Sequence, residues 1–421
     1  MKVFYQRSRN RDAIHLTGPS KITVELDRRG SSVYSPGHDP RSVRTERRVL
    51  KEQYKRRFPD GDKLSRIAGL IDWNAFRPVL EPLFKNNGEG RRHIDVVLMM
   101  KVLVLQAWYG ISDELIESEC KDRLTFQNFL GYPSSVPDAR TVWLFKERIA
   151  KAAKEKELWD ELQEQLKKYR VAVKKGQMKD AVLIELGGWR MEGQHGPVAE
   201  VAPHAGYAQD STIIEADPGL PTEEDVKKRR EIAEKKKAAK EKGKIAAPAA
   251  SSSSAPSSSA VETKERGEKA RTTRSRDGTW TKKRGRSFFG YKLHAKDDLA
   301  SGLIDEIEVT TASVHDNNVD LTKKGEVCVR DRGYTAGGRG LCINMIKATG
   351  GTPLRQKDKE LNRFLAKVRA PVEHPFAVIK RIFHGGRILV TTVVRVRVRM
   401  TFICTCYNLF RALTLSSSSS E

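Results

Sequence analysis

Three acidic residues in this 421-residue chain stand where a carboxylate could do chemistry. Asp210 lies in YAQDSTIIEADPG, beside the β-branched run Thr212-Ile213-Ile214. Asp331 closes the short apolar run Glu326-Val-Cys-Val-Arg-Asp and is followed by the turn-forming Arg332-Gly333-Tyr334. Glu373 lies in RAPVEHPFAVIK, where a helical run begins. Acids at the boundaries of regular elements can converge at one end of a sheet. The chemistry that calls for several carboxylates is phosphodiester cleavage, in which the attacking and leaving oxygens are stabilised together. Two divalent ions about 3.5–4 Å apart do both. Mg²⁺ takes oxygen ligands and keeps several waters, so a few carboxylates suffice. Taken singly, each acid has a plainer explanation. An Asp after a strand is commonly a turn residue, and a Glu in a first helical turn serves the helix dipole.

The charge balance narrows the partner. Lys and Arg number 78 against 54 Asp and Glu, a formal net charge of +24. A surplus of that size points to a polyanion, and nucleic acid is the commonest. Hydrophobic residues make up 38%, enough for a core over part of the chain only. Cys120, Cys328, Cys342, Cys404 and Cys406 contain no CxxC pair, and the spacing of the last two suits neither zinc nor a disulfide ladder. They read as reduced thiols of a cytoplasmic protein, most of them in the core. The opening MKVFYQRSRNRD lacks an apolar signal stretch. The apolar run from Val96 to Trp108 is broken by Lys101 and is too short to span a bilayer, so no membrane association is expected.

The elements that must position the acids fall into blocks. Residues 1–60 are basic and lack apolar periodicity, which reads as an N-terminal arm. Over 61–170 the pattern is helical. Leu98, Lys101, Val102, Leu105 and Trp108 follow amphipathic spacing, and Ser112-Asp-Glu-Leu offers an N-cap for the next helix. Pro137-Asp-Ala-Arg-Thr starts a third, running through Trp143, Phe145 and Ile149. Such helices suit a helix-turn-helix unit, and equally a bundle used for packing or dimerisation. Residues 171–415 read as an α/β domain. Its strand candidates are Ser287-Phe-Phe-Gly-Tyr-Lys-Leu-His-Ala, Ile304 to Thr311, and the run ending at Asp331. A helix is expected over 376–383. The 393–413 segment alternates Val and Arg at its start, but the spacing of Met400, Ile403, Tyr407, Phe410 and Leu413 favours a helix. An insertion at about 220–286 interrupts the domain. It is charged over 223–244, rich in Ser, Ala and Pro over 246–260 and basic over 264–286, and it reads as disordered. Residues 416–421 read as a disordered tail.

Asp210-Ser-Thr-Ile-Ile, Arg330-Asp331-Arg332-Gly333-Tyr334 and Arg369-x3-Glu373-x6-Lys380 resemble the three catalytic boxes of DDE insertion-sequence transposases. The nearest group is the one named insertion sequence five, in its archaeal and bacterial form. Ile71-Asp-Trp, Arg123-Leu-Thr-Phe-Gln-Asn-Phe-Leu-Gly and Val136-Pro-Asp-Ala-Arg-Thr-Val-Trp are similar to that family's N-terminal domain. Arg276-Asp-Gly-Thr-Trp, Phe289-Gly-Tyr-Lys-Leu-His and Thr310-Thr-Ala-Ser-Val-His-Asp are similar to its central strands, and Tyr407-Asn408-Leu to its C-terminal end. The resemblance covers roughly residues 64–415 outside the insertions, and the order of the boxes makes it specific. It implies an RNase H-like catalytic domain, a mixed sheet flanked by helices, after an all-α DNA-binding domain. It assigns Asp210, Asp331 and Glu373 as catalytic residues and as ligands of two Mg²⁺ or Mn²⁺ ions. The implied enzyme binds terminal inverted repeats as a homo-oligomer, hydrolyses DNA at the element's ends and joins them to target DNA, at the nucleoid of a prokaryotic cytoplasm. Arg369 and Lys380 would contact phosphate, which positions DNA without reading its sequence. Arg332, with Arg140 and Lys146 on the third helix, are further candidates for DNA contact.

The chain departs from the pattern in places. The tyrosine expected three residues before Arg369 is Ala366. Pro371 and Pro375 bracket Glu373, so a helix is expected to start at Glu373 and to leave Arg369 in a loop. Lys175-Gly-Gln-Met-Lys-Asp180-Ala-Val-Leu-Ile-Glu has the rhythm of the Asp210 box and directly follows the helical block. Asp180 therefore competes with Asp210, which is favoured by the Ser-Thr and Glu-Ala-Asp-Pro-Gly that follow it. Two alternatives stand beside the active enzyme: a catalytically inactive DNA-binding derivative, and a related RNase H-like metal nuclease. The presence of all three acids argues against the first. The N-terminal resemblance, with Arg369 and Lys380, argues against the second. His294, His315 and His374 fall near the boxes and read as polar neighbours or surface residues, not metal ligands.

Overall fold

Contacts divide the chain into two compact units, Met1–Asp60 and Gly61–Glu421. The structure, a computed structural model, describes residues 13–16, 22–25, 40–84, 93–176, 182–185, 198–201, 206–217, 275–283, 285–331, 333–334, 339–348 and 353–418. In the first unit, strands β1 (Ala13–Leu16) and β2 (Ile22–Glu25) pair antiparallel. Helix α1 (Pro40–Arg57) ends on Lys55, Arg56 and Arg57, cations suited to the negative end of a helix dipole. The stretch read as a basic arm thus carries regular structure.

The second unit begins with helices α2 (Lys63–Ala68), α3 (Arg77–Leu80), α4 (Val96–Tyr109), α5 (Ile116–Asp122), α6 (Leu124–Leu130), α7 (Ala139–Lys151) and α8 (Glu155–Gly176). Aspartates start several of them. Asp95 accepts from the Val97 and Leu98 N–H groups at 2.9 and 3.0 Å, and Asp138 from Thr141 at 2.7 Å. Such caps are each worth about 1 kcal/mol. The cap expected at Ser112 does not form. Residues 112–115 make a turn, α5 starts at Ile116, and the Asp113 carboxylate instead takes Gln106 Nε2 at 2.8 Å and Lys146 Nζ at 2.5 and 2.7 Å. Nor is α4 amphipathic in the expected sense. Val96, Met99, Met100, Val102, Leu103 and Leu105 are all buried, because α6 covers one side and the last helix of the chain another.

Strands β3 (Val182–Glu185) and β4 (Val198–Val201) pair in a sheet of their own. The main, seven-stranded sheet holds β5 (Tyr207–Ala216), β6 (Thr279–Lys283), β7 (Arg286–Asp298), β8 (Ile304–Thr311), β9 (Val327–Arg330), β10 (Leu341–Asn344) and β11 (Arg387–Ile388). β5 is central, antiparallel to β7 on one side and parallel to β9 on the other. β10 continues the parallel side, β8 and β6 pair with β7, and β11 pairs with the end of β5. Helices α9 (Gln356–Arg369), α10 (Glu373–Arg381) and α11 (Val393–Ser418) follow. A mixed sheet with flanking helices is compatible with the RNase H-like domain that the resemblance implied.

β6 falls inside the stretch read as an insertion. Its Thr-Trp-Thr alternation pairs with β7, in line with the resemblance of Arg276-Asp-Gly-Thr-Trp to a central strand, whereas the surrounding Lys and Arg had drawn the boundary of the basic stretch as far as 286. Residues 218–274 lie outside the described part, and they leave and rejoin it at one point, where Ser275 N–H donates to the Asp217 carbonyl at 2.9 Å. α11 is a helix, as its spacing implied, and it runs through Ser418, past the expected boundary at 415. It joins the helical block to the sheet. Val396, Met400, Ile403, Cys404 and Tyr407 are buried among α4, α7, α8 and β8. Asn408 clips the Ile304 backbone with two hydrogen bonds of 2.9 Å. Burial of each large apolar side chain contributes about 1.5–3 kcal/mol. Among the described residues no helix is long and apolar enough to cross a membrane.

Gly290 is the tightest point of the sheet. It pairs with both Glu215 and Thr279. At φ +149, a Cβ there would lie 2.1 Å from the Ile214 carbonyl oxygen. Gly290→Ala is expected to lower unfolding free energy by about 1–3 kcal/mol, read as a lower urea midpoint at unchanged slope. An unshifted midpoint would contradict this packing.

Candidate active site

Asp210 and Asp331 are brought together by strand register. The parallel pairing runs Tyr207↔Cys328, Ala208↔Val329 and Gln209↔Arg330. Asp210 and Asp331 are each the next residue, so they start at the same level of neighbouring strands, whose axes lie about 4.8 Å apart in any sheet. β9 ends there, and Tyr334 N–H closes the turn on the Asp331 carbonyl at 3.1 Å.

Glu373 comes from the helical side. It opens α10, as the flanking prolines implied. Arg369 is not in a loop. It is the last residue of α9, and the single 3₁₀ turn Ala370–Val372 leads into Glu373. The backbone stays right-handed from Arg369 (φ −78, ψ −23) to Glu373 (φ −70, ψ −23). Pro371 sits in the first turn, where its missing N–H has no acceptor to serve, so it interrupts the bonding without ending the helical path. Arg369 can therefore reach both elements. Its Nη1 donates to Asp210 Oδ2 at 2.6 Å and its Nη2 to Glu373 Oε1 at 3.3 Å.

The electrostatics centre on that guanidinium. The Asp210 side chain is 18% exposed, that of Glu373 64%. Burial pushes the Asp210 carboxyl above its ordinary value, and the charge of Glu373 adds to this. The Ser211 N–H, 2.7 Å from Oδ1, and Arg369 pull the other way. Partial burial opposes the charge of Arg369, but Asp210, Asp331 and Glu373 together outweigh it and hold Arg369 above its ordinary value. All three acids thus act on one cation.

The opposite face of β5 anchors this arrangement. Ser211, pointing away from Asp210, donates through Oγ to Asp316 Oδ1 at 2.8 Å, and Lys292 Nζ reaches the same oxygen at 3.1 Å. His294 is fully buried on Thr310 Oγ1 at 2.9 Å. Burial lowers its pKa to about 4, so it is neutral at pH 7. His315 Nδ1 accepts from Asn317 N–H at 3.2 Å, and His374 is exposed. None of the three histidines bonds to the acids.

The other candidates fare unevenly. Lys380 is exposed on α10. Partial desolvation lowers its pKa, neighbouring Lys283 adds to this, and Glu215 and Glu373 oppose it. Arg140 is exposed in the first turn of α7. Lys146 is not a free surface cation. Its ammonium is half-buried on Asp113 between α7 and the turn before α5, which leaves the expected DNA contact unsupported. Arg332 and Asp180 lie outside the described residues.

One acid escaped the sequence reading. Asp297 on β7 is buried, and neither of its oxygens has a hydrogen-bond partner among the described residues. It pairs with Ala208, two residues along from the Asp210↔Ala295 pair, so it shares the face of Asp210. Burial first, then the charges of Asp210, Asp298 and Asp305, push its carboxyl well above the ordinary value. An acid within KLHAKDDLAS gives no sign of this in sequence.

Comparison with known proteins adds the family. Residues 52–148 match the family described as Transposase domain (DUF772), and residues 250–409 match Transposase DDE domain. The second match contains Asp331, Arg369, Glu373 and Lys380 and begins after Asp210. The chain is also 28% identical over 169 residues to the transposase for insertion sequence element IS1106 of Neisseria meningitidis serogroup B. The chain belongs to the DDE insertion-sequence transposases. The aligned part covers 36% of this chain and 58% of the IS1106 protein. No solved structure matches it.

DDE transposases generally use divalent metal ions, so the donor set bears on the assignment. Among the described residues no three His, Cys, Asp or Glu side chains come together to hold a metal. The cation shared by Asp210 and Glu373 is Arg369. In kind, the donors fit Mg²⁺ or Mn²⁺, since the available atoms are carboxylate oxygens, the hard ligands those ions prefer.

Asp297 makes a pH prediction with a definite sign. Its folded-state carboxyl lies well above the ordinary 3.8, so the folded protein keeps a proton that the unfolded chain releases. Stability from this group is full below about pH 4 and falls by at most about 1.4 kcal/mol per pH unit as pH rises toward the folded value. Asp297→Asn removes the titration. Its stability relative to the parent should rise from pH 5 to pH 7, measured by urea unfolding at both pH values. A pH-independent difference would mean that Asp297 is charged in the fold.

Proposed function

We propose that this chain is an active transposase. It binds the terminal inverted repeats of an insertion sequence, cleaves DNA at the element's ends and transfers the 3′ ends to target DNA, with Asp210, Asp331 and Glu373 as its catalytic carboxylates. The observation that carries this reading is the β5–β9 register, which starts Asp210 and Asp331 side by side while Arg369 ties Asp210 to Glu373. Asp210 is preferred to Asp180 on the same ground. The strand after Asp180 pairs in a separate two-stranded sheet, whereas Asp210 lies on the central strand.

The three carboxylates would hold two Mg²⁺ or Mn²⁺ ions, which when bound activate the attacking oxygen and offset charge on the leaving one. The chain's own groups do the rest. Arg369 balances the carboxylates, and its planar fork suits a phosphate as well as a carboxylate, so it can turn to the DNA backbone near the cut. Lys380 lies two helical turns from Glu373 and offers a point charge to the adjoining phosphates. The Ser211–Asp316–Lys292 anchor keeps β5, and so Asp210, from shifting under load. The helical block over 61–170, with Arg140, is assigned to the repeats, and Arg332 to phosphate beside Asp331. The surplus of +24 draws DNA from a distance and makes its binding depend on salt. A homo-oligomer would pair the two element ends.

With Mg²⁺ and a duplex ending in the element's own terminal repeat, Asp331→Asn should reduce cleavage to background and leave duplex binding intact. Asp210→Asn should do the same, and Asp180→Asn should cleave normally. Full cleavage by Asp331→Asn would overturn the assignment. Loss confined to Asp180→Asn would move the first catalytic role to that residue.

A further inference from the structure

The β6–β7 hairpin is held firmly at its base and left open at its tip. At the base, Arg276 N–H donates to the Thr391 carbonyl at 2.7 Å, Val393 N–H to Asp277 Oδ2 at 2.8 Å, and Ser313 N–H to Thr279 Oγ1 at 2.8 Å. Toward the tip, Trp280 is 51% exposed and leans on Phe289, ring centroids 5.2 Å apart. Lys282, Lys283 and Arg286 are exposed, and Gly285 makes the turn at φ +78. Residues 279–287 contain four Lys or Arg and no acid. A lone exposed tryptophan is ordinary. One set among cations on an anchored two-stranded projection is a surface built for a polyanion with flat apolar parts.

Its position ties it to the acids. β7 runs from Arg286 at the tip to Ala295 opposite Asp210, nine residue steps, or about 30 Å at 3.3 Å per residue. Lys283 lies near enough to Lys380 to depress its pKa, and α10 leads from Lys380 back to Glu373. Positive charge therefore continues from the acids to the hairpin over about nine base pairs of duplex at 3.4 Å each.

We propose that the β6–β7 hairpin is a DNA-contacting arm. It grips duplex DNA nearly one helical turn from the catalytic acids, with Lys282, Lys283 and Arg286 on phosphates and the Trp280 indole against a sugar or an exposed base. The proposal rests on the reading of the chain as a DNA-cleaving transposase, and it adds the surface and the reach.

The test uses the full chain and a fluorescein-labelled duplex of about 30 base pairs, with anisotropy titrations between about 50 and 200 mM salt. Replacing Lys282, Lys283 and Arg286 together by alanine should weaken binding and flatten the slope of log affinity against log salt by about 2.7, three contacts at about 0.9 each. Trp280→Ala should weaken binding and Trp280→Phe should restore most of it. Because these side chains are exposed, the urea midpoints should match the parent's. If the parent itself does not bind duplex, the DNA reading fails. If the parent binds and the triple variant keeps its affinity and slope, the hairpin assignment alone is overturned. A triple variant that changes the sedimenting species but not DNA affinity would make the hairpin a contact between chains, and would equally defeat the proposal.

Discussion

The backbone pairing of β5 on both of its edges is the constraint on which the site depends. Its antiparallel ladder to β7 fixes which side chains of β5 face α9 and α10 and which face the polar layer around Asp316. Its parallel ladder to β9 fixes how far along the sheet Asp331 emerges. A slip of one residue in either ladder would turn Asp210 to the opposite face. The polar anchors on that face therefore guard the register. Gln209 Nε2 donates to the Val319 carbonyl at 2.7 Å, and Lys296, fully buried, is held between Asp305 at 2.8 Å and Glu326 at 2.7 Å.

Gathering acids at one place costs electrostatic energy, and the structure offsets it in two ways. Arg369 supplies a cation to Asp210 and Glu373. Asp297, with no such partner among the described residues, has its carboxyl pushed well above the ordinary value by burial, which favours the neutral form. The same face thus holds one carboxylate paired with a guanidinium and one buried without a hydrogen-bond partner among the described residues, two residues apart along the ladder.

Much of this was legible in the sequence because its signals are local. The strand ending at Asp331, the helix starting at Glu373 and the long final helix each follow from a few neighbouring residues. What was not legible depended on partners far along the chain. Arg369 reads as a loop residue when Pro371 is taken as a break, and only the reach of its side chain to Asp210, 159 positions away, reveals the continuous path. Lys146 reads as a DNA-facing cation until Asp113 is found beneath it. The strand over 279–283 begins in a stretch that resembles a central strand, but its positive charge extended the boundary of the basic stretch across it. Asp297 gave no signal, since its lack of a partner is a property of the packed sheet.

The stretch between β5 and β6 leaves and re-enters at a backbone hydrogen bond from Ser275 to Asp217. That junction is a pinch. Whatever lies between its two sides, the residues on either side meet at the same separation, and the ladders of β5 never feel the length of the detour. Because loop closure grows only with the logarithm of length, residues 218–274 can expand, shrink or take on foreign sequence at little expense to the fold. A change of length there would leave the register of β5, and so the level of Asp210, where it is.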